Sequence, residues 1–384
     1  MNVRMTKIAT ASALLALLLA PSVRAEEVQT IKIGLGAPLS GPQSRYGRDF
    51  ETGAQLAIAD FNAKKPEIGG KKVSFTLEAL DDQADPKTGV VIAQKLVDDG
   101  IVGMLGDFNS GVAIPASAIF YRANIPQIST ATAPAYTRQG FNTTFRIMTS
   151  DVQLGTVMGD YVVQTLRAKR IAIIDDRTAY GEGLAEQFET AVKAAGGNIV
   201  DHEFTSDQAV DFRAILTNLK AKQPDFVYYA GTDAQSAPLA KQARQLGIRA
   251  QLASGDMSKT DGFIKIAGPA ANGVIVSVGG LAIEKMPRGT AFVKSYNNKF
   301  GAAPDTIAPF SYDAATALMQ AMVNANSASP KSYLPFLLNT DLKGVTSDHL
   351  GFNRYGDRRD AFVTVYKCEN GKWISLAVLG QNQP

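Results

Sequence analysis

The chain contains very little cysteine and histidine, and these shortages exclude several kinds of site. Its 384 residues include one cysteine, Cys368, and two histidines, His202 and His349. One cysteine cannot form an internal disulfide, a cysteine-ligated zinc site or an iron–sulfur cluster. The two histidines lie far apart in sequence, which argues against a histidine-rich metal site. We therefore expect no metal ion.

Motifs of catalysis and nucleotide binding are also missing. The sequence has neither the glycine-rich phosphate loop of nucleotide hydrolases nor the nucleophile elbow of α/β-hydrolases. The nearest dinucleotide signal, residues 181–183, lacks a third glycine and follows too long a loop. The paired acids at 81–82 and 175–176 lie at strand ends, where loop solvation and helix capping are favoured over acid–base chemistry or a cation site. We expect no cofactor and no enzymatic activity.

A single hydrophobic run occurs, near the start of the sequence. Arg4 and Lys7 precede the mostly apolar residues 8–20, and small residues follow at 23–25. Thirteen residues suit the core of a signal peptide and are too few to span a bilayer. We predict a signal peptide at 1–25, cleaved after Ala25, and a soluble mature protein without a lipid anchor.

The net charge of +3 belongs to this leader. It holds three of the 39 basic residues and none of the 36 acidic residues, so the mature chain is balanced at 36 of each. Without an excess of positive charge, there is no electrostatic case for binding nucleic acid or an anionic membrane. We expect neither as a partner.

The remaining sequence alternates between strand and helix patterns. Apolar strands such as 31–35, 73–79 and 170–174 are followed by helices with one apolar face. Asp85 before Pro86 reads as a helix cap, and Asp151 is expected to cap a second helix. The alternation restarts near residue 150, which predicts an α/β fold with two doubly wound parallel sheets.

Helical patterns resume after the second array, at 292–300 and 314–322. They predict that the chain crosses back to the first lobe, so that the lobes share several hinge crossovers.

Polar loops follow several of these strands, at 40–47, 107–111, 129–134 and 178–181. Ligands of open α/β sheets bind beyond the carboxyl ends of the strands. Hydroxyl groups beside free N–H groups at helix starts make good carboxylate receptors. Ordinary helix capping is an equal alternative for any single loop. The first three loops belong to the first array and could converge at one edge of its sheet.

At these loops the chain resembles the Leu/Ile/Val-type periplasmic amino-acid-binding proteins, the receptors of ABC importers. Each motif is weak alone, but their order covers nearly the whole mature chain. The matching motifs are Gly36-Ala37-Pro38-Leu39-Ser40-Gly41-Pro42 with Tyr46-Gly47, Asp81-Asp82 with Asp85-Pro86-Lys87, Ala131-Thr132-Ala133-Pro134, Tyr180-Gly181-Glu182-Gly183, Asp211-Phe212 and Asp225-Phe226-Val227-Tyr228-Tyr229.

The resemblance implies a type I periplasmic binding fold, with two lobes that close on a ligand and are joined by three crossovers. Lobe 1 would comprise residues 26–148 and 279–357, and lobe 2 residues 149–278 and 358–384. It implies a monomer in the periplasm that delivers an amino acid, most simply a branched-chain one, to an inner-membrane ABC permease.

The resemblance also implies a set of ligand contacts. Hydroxyl and backbone groups of the first lobe would hold the ligand carboxylate. In the second lobe an aromatic ring would cover the ligand, and an acid would take its α-ammonium group. The carried-over residues are Ser110, Thr130 and Thr132 for the carboxylate, Tyr180 for the cover, Asp256 for the ammonium, and Tyr46 and Thr232 as further contacts.

The chain departs from the family pattern at three points. Ala84 and Asn109 stand where some relatives carry a disulfide. Asp256 is shorter than the glutamate that some relatives use, and it could instead cap a helix near Lys259. Thr232 stands where an aromatic residue can line the side-chain pocket.

Because of these departures, amides, urea and aromatic acids remain alternative ligands. A secreted α/β hydrolase and a cytoplasmic regulator of the same fold are the rival classes.

Overall fold

A computed structural model of the chain describes residues 28–380. The predicted signal peptide lies outside the described residues and stays a prediction. The strands of the described part are β1 (Gln29–Ala37), β2 (Glu67–Ile68), β3 (Lys71–Asp81), β4 (Met104–Gly106), β5 (Gln127–Ser129), β6 (Thr144–Arg146), β7 (Ile171–Asp175), β8 (Ile199–Phe204), β9 (Phe226–Ala230), β10 (Gln251–Ser254), β11 (Ile275–Gly279), β12 (Val363–Glu369) and β13 (Lys372–Leu379).

Helices alternate with most of these strands, as the sequence pattern predicts. The α-helices within residues 28–380 are α1 (Ser44–Ala63), α2 (Pro86–Asp98), α3 (Ser110–Arg122), α4 (Asp151–Asp160), α5 (Ala179–Ala194), α6 (Arg213–Ala221), α7 (Asp233–Gln245), α8 (Asp261–Ala267), α9 (Gly289–Phe300), α10 (Ala308–Asn324) and α11 (Pro330–Leu338).

The first sheet forms the centre of the first lobe. In the described part of the chain its order is β2-β3-β1-β4-β5-β6. All neighbours are parallel except the short β2, which pairs antiparallel with β3. Parallel pairing brings the carboxyl ends of β1, β4 and β5 to one edge, where the predicted polar loops follow them.

The second sheet forms the centre of the second lobe, in the order β13-β12-β11-β10-β9-β7-β8. Strands β7 to β11 are parallel, and β12 and β13 add an antiparallel edge. Every residue of β7 is buried, because helices cover both faces of the sheet. Cys368 is buried within β12. The predicted fold class, two doubly wound α/β lobes, is confirmed.

The chain passes between the two sheets in three places: between β6 and α4, between β11 and α9, and between α11 and β12. After the second passage it returns to the first lobe, where α10 packs on α1. The Asp49 carboxylate of α1 accepts the N–H groups of Asp305 and Ile307 at 2.9 and 2.8 Å, which anchors the returning segment. The predicted domain boundaries at 148, 278 and 357 stay predictions.

Of the two predicted helix caps, one is confirmed and the other is wrong. Asp85 caps α2, because its Oδ1 accepts the Thr88 N–H at 2.7 Å. The prediction for Asp151 is wrong: Ser150 occupies the cap position of α4, and Asp151 is the first helical residue without a capping bond. Its N–H donates to the Thr132 carbonyl oxygen at 2.9 Å, which holds it against a first-lobe loop instead of at a free helix end.

Candidate functional site

A cavity of about 380 Å³ lies between the two lobes, at the carboxyl ends of their strands. Small-molecule sites typically have volumes of about 300–1,000 Å³, so this one suits a small ligand. The cavity is lined by Gln43, Ala84, Pro86, Phe108, Asn109, Ser110, Gly111, Thr130, Thr132, Met148, Arg177, Thr178, Ala179, Tyr180, Asp207, Thr232, Asp256, Met257 and Ile307.

Six of the seven predicted site residues line this cavity: Ser110, Thr130, Thr132, Tyr180, Thr232 and Asp256. Their contact with a ligand stays a prediction.

Tyr46, the seventh, lies behind the cavity wall. Its ring stacks on the ring of Phe108, with 5.5 Å between the centroids. Its hydroxyl donates to the carbonyl oxygen of Met257 at 2.5 Å. Phe108 and Met257 line the cavity from opposite lobes, so Tyr46 links the two walls from outside. A direct contact between Tyr46 and a ligand also stays a prediction.

Three helices begin at the cavity: α3 at Ser110, α5 after Thr178 and α7 after Thr232. The first N–H groups of a helix have no intrahelical partner, and the helix dipole adds partial positive charge there. Thr178 satisfies one of these groups in α5, because its Oγ1 accepts the Gly181 N–H at 3.0 Å. The remaining helix starts favour a negatively charged group in the cavity.

The first-lobe wall is rich in hydroxyl groups that are held in place. Ser110 Oγ accepts the Ala133 N–H at 3.2 Å, and Thr130 Oγ1 donates to the Phe108 carbonyl oxygen at 3.4 Å. These bonds connect the loop after β4 to the loop after β5. Because a hydroxyl has one donor and two acceptor positions, Ser110 retains its own proton for a bond into the cavity.

A buried guanidinium supports this wall from beneath. Arg146, at the end of β6, is 1% exposed and donates to the carbonyl oxygens of Ala131 and Ala133, the latter at 3.1 Å. Its Nε lies 3.0 Å from Asp357 Oδ1. Burial alone would raise the pKa of Asp357, but the Arg146 charge lowers it below its usual value. This buried ion pair therefore fixes the loop that carries Thr130 and Thr132.

The second-lobe wall presents an acid to the cavity. Asp256 Oδ1 accepts the Tyr180 hydroxyl at 2.6 Å and the Met257 N–H at 3.1 Å. Burial raises the pKa of Asp256, although the Tyr180 bond opposes the shift. The alternative that Asp256 caps the next helix is wrong, because Thr260 is the cap of α8.

A second acid, Asp151, lies beside Asp256 without a partner. Both of its carboxylate oxygens are buried, and neither has a hydrogen-bond partner within residues 28–380. Burial, followed by the charge of Asp256, raises the pKa of Asp151 to about 8, against weaker opposing effects of Thr132 and Arg146. Removing a carboxylate from water without compensation is costly, so these two acids favour a positively charged group nearby.

Sequence reasoning assigned Asp151 only a capping role and did not single out Arg146. A detectable signal existed for Arg146, because it is the one charged residue in the run Thr143–Met148. The paired acids were expected to be solvated in loops or to cap helices, but Asp82, Asp175 and Asp176 are buried and accept N–H groups of the nearby backbone. Asp81 Oδ1 accepts the Leu39 N–H at 2.8 Å, and Asp176 Oδ1 accepts the Thr178 N–H at 3.0 Å.

Within the described part of the chain, a metal-holding cluster and a membrane-spanning helix are both absent. No group of three or more histidine, cysteine, aspartate or glutamate side chains within 28–380 could hold a metal ion. Over the same range, no helix combines the length and apolar character needed to cross a membrane.

The sequence matches the model of the family described as periplasmic binding protein over residues 30–370. It is 33% identical over 343 residues to the Leu/Ile/Val-binding protein homolog 1 of Brucella suis, which covers 89% of this chain and 91% of that protein. It is 30% identical over 339 residues to the leucine-, isoleucine-, valine-, threonine- and alanine-binding protein of Pseudomonas aeruginosa, with 88% and 90% covered.

Solved structures with the same architecture include a leucine-binding protein from Thermotoga maritima, with a TM-score of 0.83 and 26% identity over 91% of this chain and 98% of that one. A branched-chain amino acid transporter substrate-binding protein from Streptococcus pneumoniae, in complex with isoleucine, has a TM-score of 0.81 and 26% identity. That likeness covers 91% of this chain and 99% of the other.

Proposed function

Because the chain belongs to the periplasmic binding protein family, we propose that it is a non-catalytic receptor that captures a small amino acid between its lobes. The observation that carries this proposal is the opposite chemistry of the two cavity walls. Hydroxyl groups of the first lobe and the start of α3 suit a carboxylate, and the second-lobe acids Asp256 and Asp151 suit an ammonium group. An α-amino acid carries both groups on the same carbon atom.

In this binding mode the ligand carboxylate accepts hydrogen bonds from Ser110, Thr132 and the backbone beside Thr130. The ligand ammonium lies against Asp256, whose orientation is held by the Tyr180 hydroxyl at 2.6 Å. Hydrogen bonds to charged groups contribute about 1.5–3 kcal/mol each. These polar groups select the α-amino acid class, irrespective of its side chain.

We propose a branched aliphatic side chain for the ligand. Apolar groups of Phe108, Met148, Met257 and Ile307 line the cavity beside the polar groups. Relatives at 30–33% identity are described as binding leucine, isoleucine and valine, which supports this assignment. Thr232 adds a polar side chain to the cavity lining.

Capture by two lobes requires that the cavity opens to admit the ligand and closes around it. Binding would select the closed form, because ligand contacts come from both lobes. We propose that the mature protein, released from its signal peptide after Ala25, acts as a monomer in the periplasm. It would then deliver its ligand to an inner-membrane ABC permease.

Calorimetry on the mature protein tests the proposal with four ligands. L-Leucine and L-isoleucine should bind, whereas 4-methylpentanoate, which lacks the amine, and isopentylamine, which lacks the carboxylate, should bind far more weakly. A ligand at 100 times its Kd should add about 2.7 kcal/mol to the free energy of unfolding, which thermal unfolding detects. Equal binding of leucine and 4-methylpentanoate would refute an α-amino acid receptor.

A further inference from the structure

Two neighbouring side chains at the start of α1, Arg45 and Tyr46, connect the lobes outside the cavity. The Arg45 guanidinium Nη2 lies 3.7 Å from Asp233 Oδ2 in the second lobe. Its Nη1 pairs with Asp305 in the first lobe. Tyr46 donates its hydroxyl to the Met257 carbonyl oxygen across the same cleft at 2.5 Å.

Neither side chain lines the cavity, so neither contact depends on a ligand. Their partners are nevertheless close to it. Asp233 follows Thr232, and Met257 follows Asp256, and both preceding residues line the cavity. Any motion that opens the cleft on this side must therefore separate both pairs.

Asp233 and Asp305, the two ion-pair partners of Arg45, are held firmly within their own lobes. Asp233 Oδ2 also accepts the Thr260 hydroxyl at 2.6 Å, which ties the start of α7 to the cap of α8. On the other side, Asp49 of α1 anchors the segment from Asp305 to Ile307. Contacts between two such rigid groups form together on closure and break together on opening.

We propose that Arg45 and Tyr46 form an interlobe latch, which stabilises the closed state and slows release of the ligand without touching it. The inference rests on the proposed function in one respect, since it assumes that closure accompanies binding. Arg45 and Tyr46 are positioning residues in this scheme, and they act through the population of the closed form. A ligand-independent stabilisation of that form lowers the Kd of every ligand by the same factor.

The latch contains an ion pair that is more exposed to salt than the ligand contacts in the closed cavity. The side chains of Arg45 and Asp233 are 41% and 17% exposed, so salt can screen their attraction. Ligand contacts inside the closed cavity are screened much less. An amino acid is a zwitterion without net charge. Its affinity should therefore fall as the salt concentration rises, because salt weakens the Arg45–Asp233 ion pair.

A double-mutant cycle on Arg45→Gln and Asp233→Asn tests the ion pair. L-Leucine affinity and release rate are measured for the wild type, both single variants and the double variant at 20 mM and 1 M NaCl. Each single variant should weaken binding about two- to fivefold at low salt, chiefly through faster release. The double variant should be no weaker than either single variant, and its salt dependence should be lost.

The hydrogen bond is tested by Tyr46→Phe, which keeps the ring stacked on Phe108 and removes only the hydroxyl. Loss of this bond should weaken binding about two- to tenfold, independently of salt. Arg213→Gln is the matched control, because Arg213 pairs with Asp211 at 2.5 Å within the second lobe and should not affect binding.

The outcomes separate the latch from the proposed function. Additive effects of the two substitutions in the cycle, or unchanged leucine release in Arg45→Gln and Tyr46→Phe, would overturn the latch while leaving the receptor intact. Failure of the wild type to bind any amino acid would overturn the proposed function alone. The latch would then be judged by small-angle scattering of the ligand-free proteins: Arg45→Gln should have a larger radius of gyration than the wild type, and equal values would refute it.

Discussion

The two walls of the cavity differ in how their buried charges are balanced. In the first lobe, the buried Arg146 is paired with Asp357 and bonded to the loop above it. In the second lobe, Asp151 is buried and Asp256 is half-buried, and neither forms an ion pair within the described part of the chain. The cation of the first lobe therefore has its counter-charge inside the protein, whereas the two acids of the second lobe have none within the described residues.

This difference separates two roles that a buried charge can have. A charge that is paired inside the protein supports a surface, and its loss should damage the fold. A charge without an internal partner recognises a ligand, and its loss should damage binding while sparing the fold. The following substitutions test this division.

The largest effect is expected from Arg146→Met, which removes the internal cation. Asp357 would lose its buried partner and keep only the exposed Arg138, and breaking a buried pair costs about 3–5 kcal/mol of the free energy of unfolding. Arg138→Gln is the matched control: Arg138 lies 2.7 Å from the same carboxylate but is 43% exposed, so about 1 kcal/mol or less is expected. Urea unfolding measures both, and equal losses would contradict the division.

Asp256→Asn should reduce binding strongly and leave folding nearly intact. An asparagine oxygen can still accept the Tyr180 hydroxyl, but the ligand ammonium would lose its counter-charge. Truncating one side of a buried charge pair costs about 2–5 kcal/mol, so the Kd of leucine should rise about thirtyfold or more. Calorimetry with 4-methylpentanoate is the control, because a ligand without an amine should be affected little. Unchanged leucine binding would show that the ligand ammonium does not lie against Asp256.

Ser110→Ala tests the carboxylate side of the cavity. Loss of one hydrogen bond to a charged group should weaken leucine binding about ten- to a hundredfold. Ser117, on the same helix, donates to the Ile114 carbonyl oxygen at 2.7 Å and does not line the cavity. Ser117→Ala should therefore bind leucine normally, and equal effects of the two substitutions would argue against a specific role for Ser110.

A fourth test concerns the pH dependence of the stability that Asp151 contributes. Its folded-state pKa of about 8 lies above the value of about 3.9 expected in the unfolded chain. The folded protein thus holds a proton that the unfolded chain releases, and stability from this group is lost as pH rises from about 4 to about 8. The slope is at most about 1.4 kcal/mol per pH unit. Asp151→Asn should flatten the pH dependence of unfolding in this window, and an unchanged slope would contradict the raised pKa.

Much of the fold could be predicted because its signals are local. The buried strand β7 is a continuous apolar run, and Asp85 before Pro86 marks the start of α2. Strands β12 and β13 were not predicted, because they join the second sheet only after the chain has returned through the first lobe. Alternation of side chains along β13 carries no information about that distant pairing.

The candidate site shows a similar limit. Residues such as Ser110 and Tyr180 lie in the first turn of helices that follow strands, where a ligand site is expected from the fold class and the family resemblance. The role of Arg146 depends on Asp357, 211 positions away in the sequence, and that of Asp151 depends on burial against the opposite lobe. Such long-range pairings are properties of the folded chain.

The burial of Cys368 in β12 makes the protein suitable for site-specific labelling. The native thiol is 0% exposed and is the sole cysteine of the chain, so it should not compete for maleimide dyes in the folded protein. A cysteine introduced on the exposed surface of each lobe would then carry the donor or the acceptor of a fluorescent pair. Opening and closing of single molecules could be followed in this way without first replacing Cys368.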